Sequence, residues 1–167
     1  DAEGGITRFS FDAVGNTLTQ TDALGRVTTF TYDARNQLIS QFAPDGVETR
    51  YAYDRLGNRV SITRAANPPL AATTTLVYNR DNQLVSQTDP LGHTTTYQYD
   101  ANHNPTVVTD PGGHRTTYEY DANNRVTRIT DALGNVVQYR YDGNGNRVQV
   151  VDARGFTSTT YFNAVNQ

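Results

Sequence analysis

The chain has 167 residues, 19% charged and 36% hydrophobic, with a formal net charge of −3; all 14 of its basic Lys+Arg residues are arginine and none forms a run, which leaves no footprint for nucleic acid. No stretch approaches the roughly 18 consecutive apolar residues of a membrane helix, and the absence of cysteine removes disulfides and thiolate metal sites. Tyr, Phe and Thr are frequent, Gly and Asn punctuate, and helical periodicity is missing throughout, so the composition points to an all-β protein.

In chain order, the sequence opens on Asp1-Ala2-Glu3-Gly4, which matches the later Asp131-Ala132-Leu133-Gly134 and reads as a turn. A strand signal ending in Phe9-Ser10-Phe11-Asp12 follows, and its aromatic-x-aromatic-Asp pattern returns as Phe30-Thr31-Tyr32-Asp33 and Tyr51-Ala52-Tyr53-Asp54. An interruption comes next, from Ala65 to Ala72, whose Pro68-Pro69 step cannot join a hydrogen-bonded ladder; residues 65–72 are expected to be an extended surface loop. The pattern resumes at Leu76-Val77-Tyr78-Asn79, Tyr97-Gln98-Tyr99-Asp100, Tyr118-Glu119-Tyr120-Asp121 and Tyr139-Arg140-Tyr141-Asp142, and ends in the degenerate Thr160-Tyr161-Phe162-Asn163. Successive copies of the second aromatic are 21 residues apart, except that Tyr53 to Tyr78 is 25. Residues 1–167 are therefore expected to form a single array of roughly seven and a half hairpin repeats. The chain begins without Met or a leader, at a turn, and stops at Gln167 just short of the next strand, with no polar capping repeat. The expectation is a piece of a longer polypeptide whose array continues on both sides.

Each repeat holds two turn signals. Three residues past the anchor Asp or Asn stand Gly15, Asn36, Gly57, Asn82, His103, Asn124 and Gly145, all types that tolerate positive φ, so a left-handed residue is expected in every copy. The second turn reads Asp-x-x-Gly, as in Asp89-Pro90-Leu91-Gly92, the preference of a type I turn or of a hairpin loop closed by a bulge. Its turn residues are Gly25, Gly46, Gly92, Gly113, Gly134 and Gly155. Between turns lie strand runs such as Leu84–Thr88 and Thr94–Tyr99; in the latter Thr95, Tyr97 and Tyr99 share a face. Stacked repeats would align Phe11, Tyr32, Tyr53, Tyr78, Tyr99, Tyr120 and Tyr141 as one structural column, two strands or roughly 9–10 Å apart, with Ile62, Val108, Ile129 and Val150 filling the intervening strands. The distance from anchor to apolar residue varies, six residues from Asp12 to Leu18 and five from Asp33 to Leu38, and a bulge is expected to absorb the difference.

These residues resemble a known family. Tyr141-Asp142-Gly143-Asn144-Gly145-Asn146-Arg147 and Thr88-Asp89-Pro90-Leu91-Gly92 are similar to the YD or RHS repeat, and the resemblance covers essentially the whole chain. It implies an antiparallel β-sheet that curves and spirals. In bacterial polymorphic toxins and insecticidal Tc toxins such a sheet winds into a hollow shell around a toxic C-terminal domain; related repeats form the barrel of teneurins, animal cell-surface adhesion proteins. It also implies repeats without catalytic residues, a secreted or cell-surface location and a bacterial source. The family's C-terminal core segment, which closes the shell and often self-cleaves, is not recognisable in this chain, and neither is a toxin domain.

The expected function is thus a structural scaffold segment, not an enzyme, with no cofactor and no metal. Its expected partners are neighbouring RHS repeats of the same or another chain and an encapsulated toxin domain. An extracellular adhesion, carbohydrate-binding or fibre-forming module, with glycans stacked on the aromatic columns, is the alternative. His93 and His114 recur in one column, but a zinc ion needs each nitrogen at ~2 Å, and turn histidines are the simpler reading. Asp100 and Asp110 stand without the clustered oxygen ligands calcium requires, and turn aspartates do not make the paired carboxylates of a glycosidase.

Overall fold

A computed structural model describes residues 5–65 and 71–163. These fall into two compact units, one reaching to His93 and one beginning at Thr94. The first carries β1 (Arg8–Phe11), β2 (Thr17–Thr21), β3 (Val27–Tyr32), β4 (Leu38–Phe42), β5 (Glu48–Tyr53), β6 (Arg59–Ala65), β7 (Ala71–Tyr78) and β8 (Leu84–Thr88). The second carries β9 (Thr94–Tyr99), β10 (Pro105–Thr109), β11 (Arg115–Tyr120), β12 (Val126–Thr130), β13 (Val136–Tyr141), β14 (Arg147–Val151) and β15 (Thr157–Thr159). Within each unit the strands lie in chain order and every one runs antiparallel to the next. The protein is all-β and antiparallel, and among the described residues there is no helix.

The ladder explains why the repeat has an odd length. Both turns close between residues six apart, as in Phe11↔Thr17 and Thr21↔Val27, and six is even. Side chains alternate faces along a strand, so positions 21 apart would land on opposite faces unless one residue dropped out of the alternation. A β-bulge removes that residue. The register shifts once in each odd-to-even hairpin, with Leu18, Ile39, Val60, Val85, Thr106, Thr127 and Val148 passed over. The bulge thus sits in every copy at one column instead of compensating for an irregular spacing. Leu18 is itself a bulge residue and aligns with Ile39, whereas Leu38 aligns with Thr17, so only the identity of the apolar residue varies.

Alternation then sorts the side chains. One face carries the aromatic pairs, with Tyr97 opposite Val108, Tyr118 opposite Ile129, Tyr139 opposite Val150 and Tyr51 opposite Ile62. The other is rich in hydroxyls that bond across strands, Ser10 to Thr19 at 2.6 Å and Thr63 to Thr73 at 2.9 Å. The aromatic column is staggered. From Phe30 the ladder crosses Gln41 to Thr49, two residues short of Tyr51, and from Tyr118 it crosses Ile129 to Val137, two short of Tyr139. The offset follows from unequal strands, since β3 advances five residues between its turns while β4, with Ile39 passed over, advances three along the ladder, and the column therefore runs diagonally to the strands.

The insertion is absorbed largely by strand. β6 and β7 pair from Ser61↔Thr75 through Ala65↔Ala71, so Ala65, Ala71 and Ala72 belong to the ladder and not to a surface loop. Closure at Ala65↔Ala71 again joins residues six apart, which keeps the turn interval of the other hairpins. The remainder of the expected loop lies outside the described residues.

Burial is shallow. Among the described residues Val107, at 9% exposure, is the one buried hydrophobic, and no side chain is fully enclosed. The tyrosines of both aromatic columns are half-buried, while Phe9 and Phe11 are exposed. The physical reason is architectural, because each unit is a single sheet layer in which side chains pack against neighbours along the face and no second layer covers them.

Candidate functional site

The repeated chemistry lies in the turns and on the aromatic face. Although the sequence suggested two kinds of turn, both have one geometry. At Asp12 the backbone N–H donates to Asn16 O at 2.9 Å and Gly15 N–H returns to Asp12 O at 3.2 Å; at Asp22 the corresponding bonds to Arg26 O and from Gly25 are both 3.0 Å. Where the first turn residue is aspartate, its carboxylate completes the turn. Asp12 Oδ1 accepts the N–H groups of Val14 and Asn16 at 3.0 and 2.8 Å, and Asp22 Oδ1 accepts those of Leu24 and Arg26, both at 2.9 Å. Asn79 fills the role with its amide oxygen, accepting from Asp81 and Gln83 at 2.9 Å. Ala43 has no side-chain acceptor, and Asp45 Oδ1 instead takes the N–H of Val47 at 3.1 Å.

This geometry needs a left-handed residue at the fourth turn position. Gly25, Gly46, Gly92, Gly113, Gly134 and Gly155 have φ between 78° and 87°. At the other turn Gly15, Gly57 and Gly145 lie at 90–92°, and Asn36, Asn82, His103 and Asn124 at 59–67°. The non-glycine residues are those whose short polar side chains best tolerate that region.

Several turn carboxyls have their pKa lowered by hydrogen bonds within their own loops. The Asn16 amide bonded to Asp12 lowers that carboxyl's pKa, as do Asn58 at Asp54, Asn104 at Asp100, Asn135 at Asp131 and Asn146 at Asp142. At Asp121 the Arg125 guanidinium, bonded at 2.7 Å, does the same. His93 and His114 are drawn into this pattern. Their Nδ1 atoms lie 2.9 Å from Asp89 Oδ2 and Asp110 Oδ2, each within its own turn. His103 occupies the left-handed position of the Asp100 turn, with φ 67°. Among the described residues no group of three or more His, Asp or Glu side chains gathers that could hold a metal ion.

On the aromatic face arginine and tyrosine interleave. The Arg59 guanidinium lies 4.5 Å from the centre of the Tyr51 ring and 5.9 Å from that of Tyr53, while Arg125 stands 4.6 Å over Tyr141 and Arg147 5.3 Å over Tyr139. Three members of the predicted column reach back to the preceding repeat. The hydroxyls of Tyr53, Tyr120 and Tyr141 each donate, at 2.8 Å, to the carbonyls of Leu38, Pro105 and Val126. Desolvation, then the nearby Tyr97 and Tyr118, push the Tyr99 and Tyr120 phenols upward. Sequence reasoning missed a further group, the residue that closes the first turn. Asn16, Asn58 and Asn104 bond both to their own turn carboxylate and to an asparagine of the next repeat.

The RHS Repeat family profile matches residues 11–41, 32–68, 78–116, 102–134 and 120–157, most of the chain. The chain belongs to the RHS repeat family. Its fold is similar to that in a crystal structure of TcdB2-TccC3-Cdc42, with a TM-score of 0.75, 18% identity and 87% of this chain covered. Structures of TcdB2-TccC3, and of TcdB2-TccC3 without its hypervariable C-terminal region, match at TM-score 0.74 with the same identity and coverage. This RHS chain spans 9% of the length of each of those chains. No curated protein matches it. RHS repeats are a structural scaffold, and the segment described here is a structural RHS repeat segment.

Proposed function

We propose that this segment is part of the wall of an RHS β-shell that encloses a toxin or effector cargo, in a protein that is secreted or delivered to a cell surface, and that it performs no catalysis itself. The observation that carries the reading is the single-layer architecture. Long apolar and aromatic side chains are spread over a sheet whose described residues include only one buried hydrophobic. A lone sheet of this kind has two accessible faces, and a wall that separates an interior from solvent is an arrangement in which both have a use. The turns described along both margins share one backbone closure, which suits a wall of uniform construction. Membership of the RHS repeat family and the similarity in fold to TcdB2-TccC3 chains support the same reading.

Sidedness tests it. Thr28 pairs with Gln20, itself opposite Phe9, and shares the aromatic face; its neighbour Thr29 pairs with Thr19 on the hydroxyl face. Single cysteines placed by Thr28→Cys and Thr29→Cys in the intact parent protein can be titrated with a bulky maleimide, since this segment has no cysteine of its own. A shell wall leaves one of the two sites labelled at a small fraction of the rate of the other until the particle is denatured. Equal labelling of both faces in the native particle contradicts enclosure.

A further inference from the structure

We propose that the array is assembled from pairs of unlike hairpins, and that the two residues closing the first turn form a recognition surface by which each hairpin type accepts only the other as its neighbour. This inference does not depend on the shell reading. It begins from a pattern in the third and fourth residues after each anchor. They read Gly15-Asn16, Asn36-Gln37, Gly57-Asn58, Asn82-Gln83, His103-Asn104, Asn124-Arg125, Gly145-Asn146 and, in sequence, Asn166-Gln167. One type has Gly or His followed by Asn. The other has Asn followed by Gln or Arg, and the two alternate without exception.

The contacts within each unit account for the alternation. A side-chain amide has two N–H hydrogens. Asn16 uses one for its own Asp12 Oδ2 at 2.8 Å and the other for Asn36 Oδ1 of the next hairpin at 3.0 Å. Asn58 bonds in the same way to Asp54 and Asn82, both at 3.0 Å, and Asn104 bonds to Asp100 at 3.0 Å and Asn124 at 2.8 Å. The opposite contact is steric. Gln37 Nε2 lies 3.2 Å from where a Cβ on Gly57 would stand, and Arg125 Nη1 lies 3.7 Å from the corresponding point on Gly145. A short Asn side chain therefore meets an acceptor, and the long side chains of Gln37 and Arg125 each meet a glycine. Two hairpins of the first type side by side would leave the Asn amide facing glycine, with no acceptor. Two of the second type would bring a Cβ to 3.2 Å from Gln37 Nε2, a contact from which that side chain would have to withdraw. The partner this surface fits is a hairpin of the other type, whether in the same chain or in a second copy laid against it.

Hydrogen–deuterium exchange on the full chain, read at peptides covering residues 33–63, tests the proposal with three variants. Gly57→Asn installs a residue that Asn36 and Asn82 show to be compatible with the turn, but it crowds Gln37; exchange is expected to rise about threefold to tenfold. Gln37→Asn alone removes the long side chain and leaves its amide without an acceptor, so a rise of up to about threefold is expected. The double variant recreates the Asn-to-Asn contact and should return exchange to within about twofold of the parent. Exchange in the double variant equal to or faster than in Gly57→Asn would show that the cost is backbone strain at position 57 alone, and would overturn the proposal. So would a Gly57→Asn protein that exchanges like the parent.

Discussion

The hydroxyl of Tyr120 donates a 2.8 Å hydrogen bond to the backbone carbonyl of Pro105, fifteen residues earlier. Pro105 is the partner of Tyr99 in the ladder and immediately precedes the bulge residue Thr106. Tyr141 reaches Val126 in the same way, ahead of the bulge at Thr127. The tyrosine of one repeat is thereby tied to the place where the previous repeat's ladder is interrupted. A bulge disrupts ladder pairing locally, and a buried or half-buried carbonyl left without a donor is costly. The second aromatic thus serves both as an apolar contact and as a donor to the bulge.

Tyr120→Phe and Tyr141→Phe keep the ring and remove the donor. Each is expected to cost about 0.5–1.5 kcal/mol, seen as a lower urea midpoint with an unchanged slope. Midpoints indistinguishable from the parent would mean that solvent replaces the tyrosine hydroxyl at no cost.

Gly46 has a φ of +83° and open space where a Cβ would project. Gly46→Ala should therefore show backbone strain without a clash, about 1–2 kcal/mol, and Gly46→Asn should cost less, because asparagine holds the equivalent position at Asn36 with φ 60°. Thermal or urea denaturation of the two variants ranks them; alanine as well tolerated as asparagine contradicts the assignment.

Acid should loosen the turns. The carboxyls of Asp12, Asp54, Asp100, Asp131 and Asp142 are lowered from 3.8 by the asparagine amide each one binds. A depressed folded-state pKa stabilises the ionised folded form, so the contribution is complete above the unfolded value and is lost as pH falls through the lower folded value. Stability followed by urea midpoint should be level from neutral pH to about pH 5 and then decline in the acid range. Asn79 forms its turn without a carboxylate, so Asp→Asn at these five positions should flatten the acid decline. An unaltered decline in that variant would place the acid-sensitive groups elsewhere.

The bulge column separates backbone count from side-chain identity. Val60 is passed over in the pairing of β5 with β6, and Thr106 and Thr127 hold the same position in other repeats. Val60→Thr is expected to change stability by less than about 1 kcal/mol. Deleting Val60 should reverse the faces of one flanking strand relative to the other and give aggregated or unfolded protein. A soluble deletion variant with parental circular dichroism would show that the bulge is dispensable.

Much of this was legible because Asp, Gly, Asn and the paired aromatics recur at a fixed interval. The strands between Asp89 and Asp110, for example, follow from turn residues and alternation alone. The bulge was harder to place because no residue type marks it: Leu18, Val60 and Thr106 occupy one column, and aligning Leu18 with Leu38 by hydrophobicity obscures the shared register. The ladder at Ala65↔Ala71 is hidden for a related reason, since alanine carries little strand signal beside the Pro68-Pro69 step. The turn pairs were visible as residues that tolerate positive φ. Their alternation depends on the following residue, and its meaning depends on which side chain faces which across neighbouring hairpins. Shallow burial was least accessible, because an alternating aromatic strand reads the same whether or not a second layer covers it.

Cryo-electron microscopy of the intact parent particle decides whether the sheet encloses a volume. A closed shell is expected, in which this segment's strands lie in the wall and enclose density that the repeats do not explain. An open or stacked array, with solvent on both faces of the sheet and no enclosed volume, would contradict it.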